Sequence, residues 1–154
     1  SVGQIAEIGT MAFLGIVLKN LGWRTTMICG ILGHTARFAV FAFFPDPYAA
    51  VAVNVLHGIC YAFFFATLYI LVDEVFPKDA RTSAQGLFNF LVLGMGPIAA
   101  RYIWPALQGM YTNPETKVVN YRELLLYPAG AALVAAILLL LFFHPPKNTG
   151  GETP

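Results

Sequence analysis

The sequence predicts an all-α membrane protein with five transmembrane helices. Apolar residues make up 58% of the 154 positions. Charged residues account for only 11%, far below the roughly 25% of a typical soluble domain. The mean hydropathy is +0.68. The apolar residues form five long runs, and a helix needs roughly 20 residues to cross the hydrocarbon core of a bilayer.

The five runs are separated by charged residues, prolines and glycines. The predicted spans cover residues 2–18, 23–44, 48–75, 82–107 and 123–143. Gly22 and the Pro45-Asp46-Pro47 turn separate the first three spans, because glycine and proline interrupt helices. The runs lack the alternation of period two that strands require. We therefore predict one membrane unit over residues 1–144, followed by a disordered cytoplasmic tail over 145–154.

Lysine and arginine are distributed unequally between the predicted loops, which indicates how the chain is oriented. The loops after the first and third spans, together with the tail, contain Lys19, Arg24, Lys78, Arg81 and Lys147. The opposite loops contain Lys117 and Arg122. Because cytoplasmic loops carry the excess of positive charge, we expect a multi-pass protein of the inner (cytoplasmic) membrane with its C-terminus in the cytoplasm.

Ionisable residues lie inside the first two predicted spans. Gln4 and Glu7 are three residues apart and share one helical face. A carboxylate at membrane depth faces a polar cavity or a partner, so Glu7 is a candidate proton carrier, unless it is merely hydrated at the outer mouth. His34 and Arg37 have the same spacing in the second span. Arg37 is predicted either to pair with Glu7 or to snorkel outward. The two residues are therefore coupling groups, or else a structural ion pair or interface anchor.

A stripe of polar and aromatic residues follows one face of the third span. It consists of Asn54, His57, Tyr61 and Phe65. Aromatic rings combined with hydrogen-bonding groups suit a heterocyclic or sugar-like ligand. The alternative is a helix-packing face, because the small residues Gly58, Ala62 and Ala66 lie beside the stripe.

A charged turn connects the third and fourth spans. Asp73, Glu74 and Arg81 are predicted to form a cytoplasmic gate, and a solvated loop with a helix cap is the alternative. The sequence has no phosphate-binding glycine loop, zinc-ligand spacing or nucleophile motif. We expect neither enzymatic activity nor a metal or organic cofactor.

Several segments resemble the nucleoside:proton symporter family of the major facilitator superfamily. They are Gln4-x-x-Glu7, the Leu21-Gly-Trp-Arg24 loop, Gly58-Ile-Cys-Tyr61 through Phe65, and Arg81-Thr-Ser-Ala-Gln-Gly-Leu-Phe88. The resemblance covers nearly the whole chain and corresponds to transmembrane helices eight to twelve of that family. It implies part of a C-terminal bundle and the last five of twelve helices.

The resemblance also implies roles for individual residues. Substrate-contacting Gln and Glu of the family fall on Gln4 and Glu7, and cavity Tyr and Phe fall on Tyr61 and Phe65. A member of the family has an Asp immediately after that Phe, where this chain has Ala66. Glu7 is then the remaining acid in this half.

The function implied is proton-coupled nucleoside uptake by alternating access. The partners would be a nucleoside or similar polar solute, the lipid bilayer and the N-terminal part of the same transporter. A carrier for sugar or another polar solute is the first alternative, because Gln, Glu and aromatic residues serve a hexose as well as a ribose. A membrane-embedded enzyme or a non-transporting interaction module is an alternative of another class.

Overall fold

A computed structural model describes residues 2–44 and 46–145, without the side chains of residues 2–4 and 6. This part of the chain is nearly all helical. Its four long apolar helices are α1 (Val2–Phe43), α2 (Pro47–Val75), α3 (Lys78–Met110) and α4 (Tyr121–Phe142). All four are long and apolar enough to cross a membrane. The predicted tail, apart from Pro145, lies outside the described residues.

Helix α1 is broken at Gly22, where the backbone is not helical (φ 74°, ψ 169°). Glycine adopts this conformation readily because it has no Cβ. Val17 and Phe63 line the same groove, and the backbone of Phe63 also lies against Gly30. Positions 17 and 30 would be about 20 Å apart in a straight helix. The two segments of α1 therefore fold back on one another at Gly22.

The core of the described chain lies between α1, α2 and α4. Its buried residues are Leu14, Leu18, Trp23, Met27 and Leu71, and Phe63, Phe64, Ala66, Leu68, Leu139 and Phe143 pack against them. In contrast, α3 contains no buried residue. The core therefore joins α1, α2 and α4, and α3 contributes no buried residue to it.

The N-terminus of helix α2 follows from its sequence. Asp46 caps it, because its Oδ1 accepts a hydrogen bond from the Tyr48 N–H at 2.6 Å. Pro47 occupies the first turn, where a missing N–H is tolerated.

A π-helical turn interrupts α2 at Ala62–Ala66, and a second interrupts α3 at Phe90–Met95. Such turns are frequent at functional sites.

The loop between α3 and α4 is pinned at both ends. Thr112 and Val119 form an antiparallel bridge. The Tyr111 and Tyr127 hydroxyls are 2.6 Å apart, and this hydrogen bond raises the pKa of Tyr111. Asn120 caps α4 by accepting a hydrogen bond from the Glu123 N–H at 3.4 Å. The loop thus holds the facing ends of the two helices together.

Candidate functional site

Two glycines of α1 bring its second segment close to α2. A Cβ at Gly30 would meet backbone atoms of Cys60, Phe63 and Phe64, and one at Gly33 would overlap the Cys60 sulfur. Small residues allow helix backbones to approach in this way. The close approach sets the rotation and height of α1 against α2, and it places the polar side chains of the two helices opposite one another.

A polar cluster lies where α1 and α2 meet. The Arg37 guanidinium donates from Nη1 to His57 Nδ1 at 2.5 Å. The His34 and His57 rings meet edge to face, with centroids 6.0 Å apart. The Arg37 guanidinium also lies 4.8 Å from the centroid of the Phe38 ring. Among the described residues Arg37 forms no ion pair with Glu7, so its partner here is a neutral ring nitrogen rather than a carboxylate.

Glu7 belongs to the same region of the molecule. Its side chain is half-buried and lies within electrostatic reach of His57. The Gln4 side chain lies outside the described residues, so its position relative to Glu7 stays a prediction. Asn54, one turn before His57 on α2, is exposed.

An aromatic group continues from this cluster along α2. The Tyr61 and Phe65 ring centroids are 5.0 Å apart, and those of Phe64 and Phe65 are 5.1 Å apart. Phe65 in turn lies 6.1 Å from Phe88 of α3. Tyr61 remains 39% exposed, so the described helices do not cover all of its side chain. Aromatic rings at these separations stabilise one another in stacked or edge-to-face arrangements.

Three further residues extend the aromatic group, and the spacing of the polar and aromatic stripe did not predict them as site residues. Tyr69 meets Phe88 edge to face at 5.5 Å, and its hydroxyl donates to the Asn89 side-chain oxygen. The sequence could have indicated Tyr69, because it continues the Asn54–Phe65 stripe by one more helical turn. Phe88 and Asn89 lie on another helix, and no spacing within α2 indicates them.

Ala66 lies beside the stripe. It is half-buried and packs against the core formed by α1 and α2. Gly58 and Ala62, the other small residues of this face, are buried. The small-residue face therefore packs against helices, while the aromatic stripe beside it retains exposed surface.

The predicted gate residues lie at the turn between α2 and α3. The Gln85 side chain donates to Asp73 Oδ1 at 3.0 Å. Arg81 Nε donates to the Phe76 carbonyl at 2.9 Å. In the part of the chain that the structure describes, these contacts tie the turn together without an ion pair between Arg81 and either Asp73 or Glu74. A gating role for the three residues stays a prediction.

An open groove of about 320 Å³ runs between the first segment of α1 and α2. It is lined by Gly9, Thr10, Phe13, Val17, Val55, Ile59 and Phe63. This lining is nearly all apolar, so the groove suits a lipid chain or another helix better than a polar solute. The described residues contain no group of His, Cys, Asp and Glu that could hold a metal ion.

Comparison with known proteins decides the family. The sequence profile described as nucleoside H+ symporter matches residues 1–148. This chain belongs to the nucleoside H+ symporter family. The xanthosine permease of Escherichia coli (strain K12) is 30% identical over 140 residues, covering 86% of this chain and 32% of the permease. The nucleoside permease NupG of the same organism is 26% identical over 138 residues, covering 87% of this chain and 32% of NupG.

A solved structure agrees with the sequence relatives. The crystal structure of the nucleoside transporter NupG matches with a TM-score of 0.80 at 25% identity, covering 92% of this chain and 36% of that chain. This chain therefore has a fold of the major facilitator type and is part of a multi-pass membrane protein, which confirms the resemblance seen in the sequence. Its relatives are permeases rather than enzymes. The chain spans about a third of the length of these relatives.

Most of the predicted site residues whose side chains the structure describes thus fall into two neighbouring groups. The ionisable group joins Glu7, His34, Arg37 and His57 across α1 and α2. The aromatic group joins Tyr61 and Phe65 to α3 through Phe88. Asp73, Glu74 and Arg81 lie apart from both groups, at the turn that begins α3.

Proposed function

We propose that the complete protein imports nucleosides together with protons by alternating access. One observation carries the proposal: an aromatic surface for a planar base, Tyr61 and Phe65, directly adjoins an ionisable cluster that contains Glu7 and His57. Stacking and hydrogen bonding in one cavity suit a nucleoside, and a carboxylate with a histidine suits a proton. Membership of the family and the two Escherichia coli permeases support the same reading.

In this proposal Gln4, Glu7, Asn54, His57, Tyr61 and Phe65 contact the substrate. Arg37 and His34 tune the charge of the site, and Asp73, Glu74 and Arg81 close its cytoplasmic end. The coupling ion is the proton, and no organic cofactor or metal takes part.

We further propose that the described helices correspond to five membrane spans, transmembrane helices eight to twelve of a major facilitator bundle. The apolar part of α1 covers 37 residues, which would extend about 55 Å as one helix. That length exceeds a hydrocarbon core of about 30 Å. The break at Gly22 divides α1 into two pieces of spanning length. The remaining spans would come from the N-terminal part of the same transporter.

The proposed location is the inner membrane, with the C-terminus in the cytoplasm. The excess of Lys and Arg in the loops after the first and third spans supports this orientation. Single cysteines at positions 20, 79 and 113 test it in the complete protein. An impermeant thiol reagent added from outside should label Asn113→Cys and leave Asn20→Cys and Asp79→Cys unlabelled, and the opposite pattern would overturn the orientation.

Uptake by the complete protein tests the function itself. Cells lacking their own nucleoside permeases should accumulate a labelled nucleoside, and a protonophore should abolish the accumulation. Unlabelled purine and pyrimidine nucleosides should compete, whereas hexoses should not. Competition by hexoses alone would establish the sugar carrier instead, and uptake that is unaffected by the protonophore would remove proton coupling.

A further inference from the structure

The hydrogen bond between Arg37 and His57 fixes the protonation state of the histidine. A guanidinium carries only donors and stays protonated. At 2.5 Å from Arg37 Nη1, His57 Nδ1 must therefore accept with its lone pair. Because a protonated imidazole has donors at both nitrogens, His57 cannot take a proton on Nδ1 and keep this bond. Proton uptake by His57 and its link to Arg37 exclude one another.

The groups that face this pair come from both segments of α1 and from α2. His34 and Arg37 lie on the second segment of α1, and the His34 ring is 6.0 Å from the His57 ring. Glu7 lies on the first segment, within electrostatic reach of His57. Cys60 lies on α2, with its sulfur against Gly33 of the second segment. Among the described residues, Glu7 is the carboxylate within electrostatic reach of His57.

Arg37 depends on His57 because it has no anionic partner. The described residues show no ion pair to its guanidinium, and its Nε atom is buried without a hydrogen-bond partner. The His57 lone pair and the Phe38 ring are the contacts that stabilise its charge. Loss of the His57 contact leaves a partly buried cation uncompensated, which is unfavourable until a charge of opposite sign reaches it.

Building on the proposed function, we propose that His57 binds the transported proton and exchanges its partner from Arg37 to Glu7. A proton from water on one side of the membrane forms an N–H bond at Nδ1 and displaces the Arg37 donor. The resulting imidazolium pairs with the Glu7 carboxylate, which also offsets the repulsion between His57 and Arg37. Release of the proton to water on the other side breaks the N–H bond and restores the link between α1 and α2.

The first test separates proton coupling from substrate binding in the complete protein. In His57→Asn the amide oxygen can replace Nδ1 as the acceptor for Arg37 but does not titrate. Because His57 also contacts the substrate in the proposed function, we expect exchange of nucleoside across the membrane to fall, but by a much smaller factor than accumulation driven by a proton gradient, which is lost. The matched control is His144→Asn, which changes a histidine beyond the end of α4 and should accumulate normally. Normal accumulation by His57→Asn would refute the proposal, as would a parallel loss of exchange and accumulation.

The second test does not depend on transport. Unfolding of the purified complete protein is measured with and without Arg37→Gln at about pH 8 and about pH 4. The lower value lies well below the ordinary histidine pKa of about 6.5, because the bond from Arg37 favours the neutral form of His57. The substitution should destabilise the protein more at the higher pH, because protonation of His57 has already removed the bond at the lower pH. In the His57→Asn background the effect should not depend on pH.

These two measurements distinguish failure of the inference from failure of the proposed function. A protein that transports no nucleoside but shows the pH-dependent effect of Arg37→Gln would refute nucleoside transport and keep His57 as a proton site. An equal effect of Arg37→Gln at both pH values would refute the inference about His57, whatever the substrate.

Discussion

The close packing of α1 against α2 makes Gly30 a sensitive position. A Cβ at residue 30 would lie 2.9 Å from the Phe64 nitrogen and 3.1 Å from both the Cys60 oxygen and the Phe63 carbonyl carbon. Favourable contacts between carbon atoms occur at about 3.5–4.0 Å. The atoms that it meets belong to helix backbone and cannot rotate away as a side chain would. Gly30→Ala must therefore push α1 and α2 apart.

The effect of Gly30→Ala on the free energy of unfolding combines a gain in helix propensity with a cost of overpacking. Alanine favours a helix over glycine by about 1 kcal/mol, whereas overpacking a well-packed contact costs about 1–3 kcal/mol. Gly15 of the same helix is a matched control, because a Cβ there would meet nothing within 4 Å. Gly15→Ala should gain the helix term alone. The two variants should differ in their free energy of unfolding by about 1–3 kcal/mol.

Unfolding of the complete protein in mixed detergent micelles measures this difference. Gly15→Ala should be at least as stable as the parent protein, and Gly30→Ala should be less stable than Gly15→Ala. Equal stability of the two variants would show that α1 and α2 do not approach as closely as described. The same result would weaken the placement of Arg37 opposite His57, which depends on that approach.

Three further substitutions test individual residues of the site. Glu7→Gln should reduce concentrative uptake more than nucleoside binding, because it removes a titrating group and keeps a hydrogen-bonding side chain; unchanged accumulation against a gradient would exclude a coupling role. Ala66→Asp should lower the folded yield, because it puts an unpaired charge against the core; normal yield with tighter nucleoside binding would instead place residue 66 in the site. Phe65→Leu should weaken nucleoside binding about two- to thirteen-fold by removing an aromatic contact of about 0.5–1.5 kcal/mol, and Phe63→Leu on the same turn, measured by the same binding assay, should have little effect.

The apolar runs and the helix-breaking glycines and prolines between them predicted much of the helical architecture. The apolar runs indicated an all-helical membrane protein. The described chain is nearly all helical with four helices long and apolar enough to cross a membrane, and the family it belongs to supports the membrane class. Gly22 was predicted to separate two spans, and the backbone is broken there because only glycine tolerates that conformation readily. The stripe from Asn54 to Phe65 placed Tyr61 and Phe65 on one helical face, and their ring centroids lie 5.0 Å apart. These features depend on residues close together in sequence, which is where pattern reasoning is strongest.

The contacts between helices could not be predicted in the same way. The sequence pattern offered Glu7 as a partner for Arg37, and nothing in the spacing indicated His57, 20 residues away. Which group pairs with Arg37 depends on how α1 is rotated against α2. The close approach of the two helices at Gly30 and Gly33 sets that rotation. The two π-helical turns were also missed, because their residues are ordinary helix and membrane residues with no distinctive composition.

The lack of buried residues in α3 bears on how the nascent chain matures. The side-chain contacts of α3 with α2 lie near its start, at Gln85, Phe88 and Asn89. During synthesis α3 enters the bilayer before α4, yet α4 packs against α1 and the core, and α3 does not. We therefore expect α4 to dock past an α3 that is still surrounded by lipid. Chaperones and quality-control proteases of the membrane would encounter α3 as the helix of this part whose surface is least covered by other helices.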